Sequence, residues 1–322
     1  MSGVETISVK PADADQRLDR WFRQHYPSLS FGRLQKLLRT GQIRVDGKRV
    51  KADHRLAAGE QVRVPPLGEE GDQPRKPSAA PVKAEDARLL QQAVLYRDDD
   101  VIVLNKPTGL AVQGGTKTGR HLDGMLDALR FGAPERPRLV HRLDRDTSGV
   151  LVLARTRQAA AKLAEAFKSR KTRKTYWALV LGVPRPAEGE ITSYMEKDGE
   201  EHEKVRAGDR GQKAVTEYKM IDNAGSKAAW LAMRPVTGRT HQLRVHCKQL
   251  GTPILSDGKY GGAEAFMDGI AGQLHLHARH ISMPHPVRGT LDVTAPLPPH
   301  MRETWALFEF DPEMKDDVFG DA

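Results

Sequence analysis

The chain has 322 residues, 39% hydrophobic and 29% charged, with a formal net charge of +9. This suits a globular protein with one good core plus a smaller module. No apolar run approaches the ~18 residues that a membrane span needs, and Met1 to Ser8 lack the basic-then-apolar order of a signal peptide. A cytoplasmic protein with no membrane partner is therefore expected, and a single cysteine, Cys247, excludes an intramolecular disulfide and a cysteine-based zinc site.

Basic charge is concentrated at the front. Residues 1–66 hold thirteen Lys and Arg against seven Asp and Glu, which suits a polyanionic partner. Here Leu18, Trp21 and Phe22 share one helical face, and Leu34, Leu37 and Leu38 share another. Gly41 ends the second helix, Ile43 to Val45 begins an alternating strand, and Asp46-Gly47 marks a hairpin turn into Lys48 to Val50. Gln61 to Val64 closes the module. Arg33, Lys36 and Arg39 on the second helix would share a solvent-facing side with Arg44 and Lys48. Residues 66–88 are rich in Pro, Gly, Ala and charge with no apolar period, and read as a flexible linker. The expected division is a small α/β module over 1–65, the linker over 66–88, a larger domain over 89–312 and a tail over 313–322.

In the larger domain, Val101 to Leu104 and Gly149 to Leu153 are buried-strand candidates, Gln158 to Phe167 is a strong helix former, and Tyr176 to Leu181 reads as a strand. Val215 to Ile221 and Ala229 to Met233 form a candidate antiparallel hairpin. Strands and helices do not alternate strictly, so an α+β fold with a mixed, largely antiparallel sheet is expected.

Four polar clusters interrupt these strands where a bland core would be apolar. They are Asn105-Lys-Pro-Thr-Gly109, His141-Arg-Leu-Asp-Arg-Asp-Thr-Ser-Gly149, Lys174-Thr-Tyr176 and Thr237-Gly-Arg-Thr-His-Gln-Leu-Arg-Val-His246, the last a turn opening a helix. Asp144 enters a buried strand, which is costly unless a cation or hydrogen bonds hold the carboxylate. Arg239 at the helix start is a natural partner. Held in this way, Asp144 could act as a nucleophile or stabilise positive charge at a sugar carbon; equally, the pair could be a structural salt bridge. Cys247 shares helical spacing with Leu243 and Leu250, so it reads as core filler before it reads as a nucleophile. His275, His277, His280 and His285 raise a metal-dependent hydrolase as an alternative, but no acidic ligand accompanies them.

The segments Leu139 to Gly149 and Thr237 to His246 resemble the signature segments of the RluA family of RNA pseudouridine synthases. So do Asn105 to Gly109, Lys174 to Tyr176, Ser256-Asp-Gly-Lys-Tyr-Gly261 and Leu276-His-Ala278, in family order over roughly residues 93–295. Val112-Gln-Gly-Gly115 is similar to the C branch of the large-subunit enzymes, although Gln113 stands where that branch usually has His. The front module resembles the S4 RNA-binding domain from Arg17-Leu-Asp-Arg-Trp21 through Leu38 to Lys48 and on to Gly59 to Val62. It departs from that pattern in placing Phe31 after Ser30 and its base later, at Arg33.

The resemblance implies a cofactor-free isomerase, without metal or nucleotide cofactor, converting uridine to pseudouridine in large-subunit ribosomal RNA; nothing in the sequence suggests more than a monomer. Asp144 would be the catalytic aspartate and Arg142 the arginine that enters the RNA stack when the target uridine leaves it. Tyr176 would pack on the flipped uracil, Arg239 would pair with the aspartate, and Leu276 would lie in the last active-site motif. Asp146, in a Gly/Ser-bounded loop, is not expected to be a second catalytic acid. RNA contacts are expected from Arg33, Lys36, Arg39, Arg44 and Lys48, and from Lys106, Lys171 and Arg173, the last two in the basic run Lys168 to Lys174, which could equally be a solvated helix end. The alternative is a non-catalytic S4-type RNA-binding or ribosome-assembly protein with a degenerate second domain.

Overall fold

A computed structural model describes residues 4–67, 82–114, 119–169, 171–197, 205–208, 210–314 and 318–320. They fall in two compact units, Met1–Pro81 and Val82–Ala322.

The first unit runs β1 (Glu5–Ser8), α1 (Leu18–His25), α2 (Phe31–Arg39), β2 (Arg44–Val45) and β3 (Gln61–Val64), with its strands in the antiparallel order β1-β3-β2. The helical faces read from the sequence form one core: Leu18, Trp21, Phe22, Leu34, Leu37 and Leu38 pack with Ile43, Val45 and Val62. The Ser30 hydroxyl caps α2 by accepting from the Arg33 amide. Beyond the helix, Gly41 turns left-handed at φ +72°. Asp46 and Gly47 both have positive φ, the mirror-image turn that the Asp-Gly pair signals. The expected second hairpin strand does not form, however. Lys48 makes only an isolated bridge with Val45, and the ladder partner of β2 is β3, through Arg44↔Arg63 and Val45↔Val62. Turn chemistry is local, whereas the choice of partner depends on which strand also buries Val62 and Val64.

The second unit runs α3 (Ala84–Gln92), β4 (Val94–Arg97), β5 (Val101–Lys106), α4 (Leu122–Met125), β6 (Arg138–Leu139), β7 (Ser148–Ala154), α5 (Arg157–Lys168) and β8 (Arg173–Leu181). It continues through β9 (Glu188–Lys197), β10 (Val205–Gly208), β11 (Gln212–Ala224), β12 (Ala228–Pro235), α6 (Gln242–Gln249), β13 (Leu276–Pro284), β14 (Thr290–Thr294) and α7 (Pro299–Leu307). Its 11-stranded sheet has the order β10-β9-β11-β12-β8-β13-β7-β5-β4, with β14 on β13 and β6 on β7. Among the described strands of this sheet only β13 and β7 pair in parallel. The fold is therefore α+β with a mixed, largely antiparallel sheet, as the sequence indicates. Among the described residues no helix is long and apolar enough to cross a membrane.

Two expected boundaries move. Residues 84–88, assigned to the linker, belong to α3, whose Leu90 is fully buried; residues 68–81 of that linker lie outside the described set. The expected tail is not free either. Met314, Val318 and Phe319 pack on the Trp177–Trp230–Trp305 cluster, and the Arg234 guanidinium sits 4.2 Å over the Phe319 ring. Their apolar spacing has no period, so only a distant face shows that they are buried.

Gly149 sets the approach of the two central strands. It has φ +107°, and a Cβ there would lie 2.2 Å from the Ala278 carbonyl oxygen. Glycine thus allows β7 to meet β13 at Ala278↔Gly149, just beyond the loop that carries Asp144.

Candidate active site

The loop from β6 to β7, alternate residues of β8, the start of β13 and the turn before α6 enclose a cavity of about 570 Å³, a volume suited to a small ligand. Arg142, Asp144, Tyr176, Arg239 and Leu276 all line it. The structure thus brings together the five residues assigned to the site, although not in the expected pairing.

The Asp144 loop is held from both sides. His141 stacks on Phe167 with ring centroids 4.3 Å apart, and its Nε2 accepts from the Val152 amide at 2.8 Å. Burial drives this imidazole down to about 3, so it remains the neutral acceptor that the bond requires. Lys106 is fully buried. Its Nζ donates to the carbonyls of Pro107 (2.8 Å), Leu110 (3.0 Å) and Arg145 (3.0 Å). Burial pulls the Lys106 ammonium down to about 7 against the fields of Asp146 and Asp144. Lys106 therefore does not contact RNA as the sequence suggested; it ties the Asn105–Gly109 turn to the Asp144 loop. A cation in a turn resembles a phosphate ligand in sequence, but here the strand directs it inward to three carbonyls. Thr108 adds a bond from its hydroxyl to the Asp146 carbonyl, and the Asp146 side chain meets Arg145 at 3.0 Å.

Strand alternation divides β8 between two faces. Lys174 and Tyr176 line the Asp144 cavity, whereas Arg173, Thr175 and Trp177 line a second cavity of about 610 Å³. The expected RNA contact at Arg173 therefore points away from Asp144, while Lys171 is exposed. Burial raises the Tyr176 phenol, and the Asp144 charge adds to the effect, so it stays protonated. Burial also lowers the Lys174 ammonium. Leu276 packs beside Tyr176 as an apolar wall.

Arg239 does not pair with Asp144. It is exposed, and its Nε donates to the Lys213 carbonyl at 3.2 Å. The turn before α6 is organised instead by Gln242, which accepts from the Thr237 hydroxyl and the Arg239 amide and donates to Val215 O and Thr216 Oγ1. The arginine whose charge reaches Asp144 is Arg244, in the first turn of α6. It grips Asp257 through Nε (2.8 Å) and Nη2 (2.7 Å). Burial works against its charge, but the Asp257 bonds and field more than offset this, with Asp144 contributing. An arginine at a helix start is visible in sequence, but the direction in which the preceding turn aims it is not.

His241 is the closest basic group to Asp144, with Nε2 3.9 Å from Oδ2. Its Nδ1 lies 2.7 Å from the Tyr260 hydroxyl. His241, Gln242, Arg244 and Tyr260 all sit inside segments recognised in the sequence, but nothing there separated their roles.

The remaining expectations resolve individually. Cys247 is fully buried in the core, and burial pushes its thiol well up, which fits core filler. Each histidine of the metal alternative has its own partner: His275 Thr304, His277 Ser148, His280 Asp292 and His285 Asp98. They converge on no common point, and the described residues contain no cluster that could hold a metal ion. In the first unit Arg33 donates to Leu67 O and Arg44 to Gly41 O and Gly47 O, so both are engaged internally. Lys36, Arg39 and Lys48 are exposed. Gly115, at the end of the branch motif, lies outside the described residues.

Residues 100–249 match the family described as RNA pseudouridylate synthase. The chain is 35% identical over 308 residues to ribosomal large subunit pseudouridine synthase C of Vibrio cholerae, covering 93% of this chain and 95% of that protein. It is also 35% identical over 376 residues to the mitochondrial RNA pseudouridine synthase 4 of Arabidopsis thaliana, covering 90% and 79%. Among solved structures, human RNA Pseudouridylate Synthase Domain Containing 4 superposes with a TM-score of 0.58 at 29% identity, covering 71% of this chain and 97% of that one.

Proposed function

Because the chain belongs to the RluA-type RNA pseudouridine synthase family, we propose that it isomerises specific uridines of large-subunit ribosomal RNA, with Asp144 as the catalytic carboxylate. The observation that carries this reading is the placement of Asp144 in a nucleoside-sized cavity walled by Tyr176 and Leu276. The relatives named for large-subunit modification support the substrate class.

The reaction breaks N1–C1′, turns the base and joins C5 to C1′; a proton leaves C5 and N1 gains one. It is redox-neutral and calls for no cofactor. A carboxylate at the sugar–base junction can attack C1′, take a sugar proton or add to the base, and this reading gives Asp144 that role. Flipping the target costs a few kcal/mol. Arg142, exposed at the rim, fills the vacated stack, and phosphate contacts at Lys36, Arg39, Lys48 and Lys171 offset the rest. Tyr176 packs on the uracil, and its high phenol pKa keeps it a neutral surface at all working pH. Arg244, in place of Arg239, supplies the cation beside the carboxylate. The first unit serves as an S4-like RNA-binding module, and the protein works as a cytoplasmic monomer.

The test is pseudouridine mapping of large-subunit rRNA from cells with and without this gene, together with conversion of the unmodified rRNA by the purified protein. Loss of specific sites that the protein restores in vitro is expected. An unchanged map with no conversion in vitro would sink the reading.

A further inference from the structure

Two hydrogen bonds lead from the edge of the sheet to His241, beside Asp144. The Val205 amide can only donate, and it donates to the Tyr260 hydroxyl at 3.2 Å. That hydroxyl has one proton of its own, and its other neighbour is His241 Nδ1 at 2.7 Å. With one lone pair already used, the phenol serves Nδ1 best as a donor, which leaves Nδ1 without hydrogen. A neutral imidazole then carries its proton on Nε2. Burial favours this neutral form, as do Arg244 and Lys259; Asp144 and Asp257 oppose it. Tyr260 also faces this group of charges and remains a phenol, its pKa raised by burial.

The backbone of His241 is held as firmly as its ring. The residue sits at φ +54°, a left-handed conformation that is costly for a non-glycine residue. Gln242, next in sequence, pins the turn to β11 through Val215 and Thr216. The result leaves Nε2 3.9 Å from Asp144 Oδ2. This is about 1 Å longer than a hydrogen bond, and catalytic bonds commonly tighten only in the substrate complex.

We propose that His241 is a positioning residue for the isomerisation: Tyr260, anchored by the Val205 amide, locks its imidazole in the Nε2–H tautomer, and that N–H orients the Asp144 carboxylate when the target nucleotide fills the cavity. The role rests on the reading of Asp144 as the catalytic carboxylate. It is distinct from proton transfer, since the neutral ring presents a donor to Asp144 and its one basic nitrogen is occupied by Tyr260.

The experiment uses the full-length protein and a large-subunit rRNA fragment containing a mapped target. Histidine side-chain ¹⁵N spectra, with the His241 signal identified by its absence in His241→Gln, should show the Nε2–H tautomer in the wild type and mixed tautomers in Tyr260→Phe. His241→Phe should lower kcat by on the order of 100-fold, the cost of mis-aiming a reacting group by about 1 Å, with KM little changed. His241→Gln, whose amide can accept from Tyr260 and donate toward Asp144, should recover much of that loss, and Tyr260→Phe, which removes a single oxygen, should fall between. Wild-type Nδ1–H, or full kcat in both His241→Phe and Tyr260→Phe, would overturn the role. Asp144→Asn on the same RNA separates the two claims. If it is inactive while the His241 variants run at wild-type rate, only the role of His241 fails; if Asp144→Asn remains active, the reading of the site fails and this role goes with it.

Discussion

Arg244 meets both carboxylate oxygens of Asp257, at 2.8 and 2.7 Å, with side-chain exposures of 7% and 0%. The same guanidinium feels the charge of Asp144. One buried arginine thus serves two carboxylates: its Nε and Nη2 hold Asp257, and its charge reaches Asp144. A buried pair of this kind is rigid because neither partner can leave without stranding the other's charge. Arg239 instead reaches outward, its Nε donating to the Lys213 carbonyl.

This arrangement separates the two arginines experimentally. Arg244→Lys keeps the charge but loses the fork, and conversion should fall by at least about tenfold, equivalent to ~1.4 kcal/mol of barrier, with a lower melting temperature. Arg239→Ala should leave kcat within a few-fold and the melting temperature unchanged. The reverse order in single-turnover assays would restore Arg239 as the partner of Asp144.

Asp144→Asn changes one oxygen to nitrogen and leaves the loop held by His141 and Lys106. Pseudouridine formation should disappear while RNA affinity, measured by filter binding, stays within a few-fold. Conversion that persists in this variant would remove Asp144 from the mechanism.

Three buried histidines and the half-buried His141 make the fold acid-sensitive. Burial lowers His141 and His277 to about 3, and His246 and His275 to about 4. His277 is representative: Nδ1 lies 2.9 Å from Ser148 Oγ and Nε2 3.2 Å from Ala295 O. Below pH ~6.5 the unfolded chain takes up protons that the folded chain refuses. Stability is therefore full above that pH and falls as pH drops toward 3–4, by up to ~1.4 kcal/mol per pH unit per histidine. Urea midpoints should decline from pH 7 to 4.5, and His277→Asn should show a shallower decline. A midpoint independent of pH over this range would contradict the assignment of these imidazoles as neutral.

The exposed bases of the first unit should act through salt-dependent attraction to phosphates. Replacing Lys36, Arg39 and Lys48 together by Ala should weaken rRNA binding and reduce the log–log salt slope by about 0.7–0.9 for each phosphate left without its cation. Arg33→Ala and Arg44→Ala, whose guanidinium groups bond backbone carbonyls, should cost thermal stability more than affinity. Deleting residues 1–66 should leave residual activity on a short stem-loop. An unchanged salt slope in the triple variant would make the basic face a bystander.

Local order was largely written in the chain. Helical periodicity placed Trp21 and Leu34, and continuous apolar runs placed Val101 to Leu104 and Val150 to Leu153, in cores that the structure confirms, the runs being buried on both faces. The Asp46-Gly47 turn was legible because two positive φ angles are a local requirement. Partner choice was not legible. The pairing of β2 with β3, the burial of residues 84–88 and the docking of Phe319 under Arg234 all depend on surfaces supplied from far along the sequence.

The site divides in the same way. The sequence by itself determined the chemistry available, with Asp144, Tyr176, Leu276 and the arginines of the Thr237–His246 segment present in recognisable order, because residue type and local spacing are one-dimensional facts. Only the tertiary structure decided who faces whom. It buried Lys106 under three carbonyls, turned Arg173 to the far face of the sheet, sent Arg239 outward and brought Arg244 and His241 toward Asp144. Those outcomes depend on strand alternation, on the turn held by Gln242 and on the close approach of β7 and β13 at Gly149, where directions in space are set by packing between elements rather than by position along the chain.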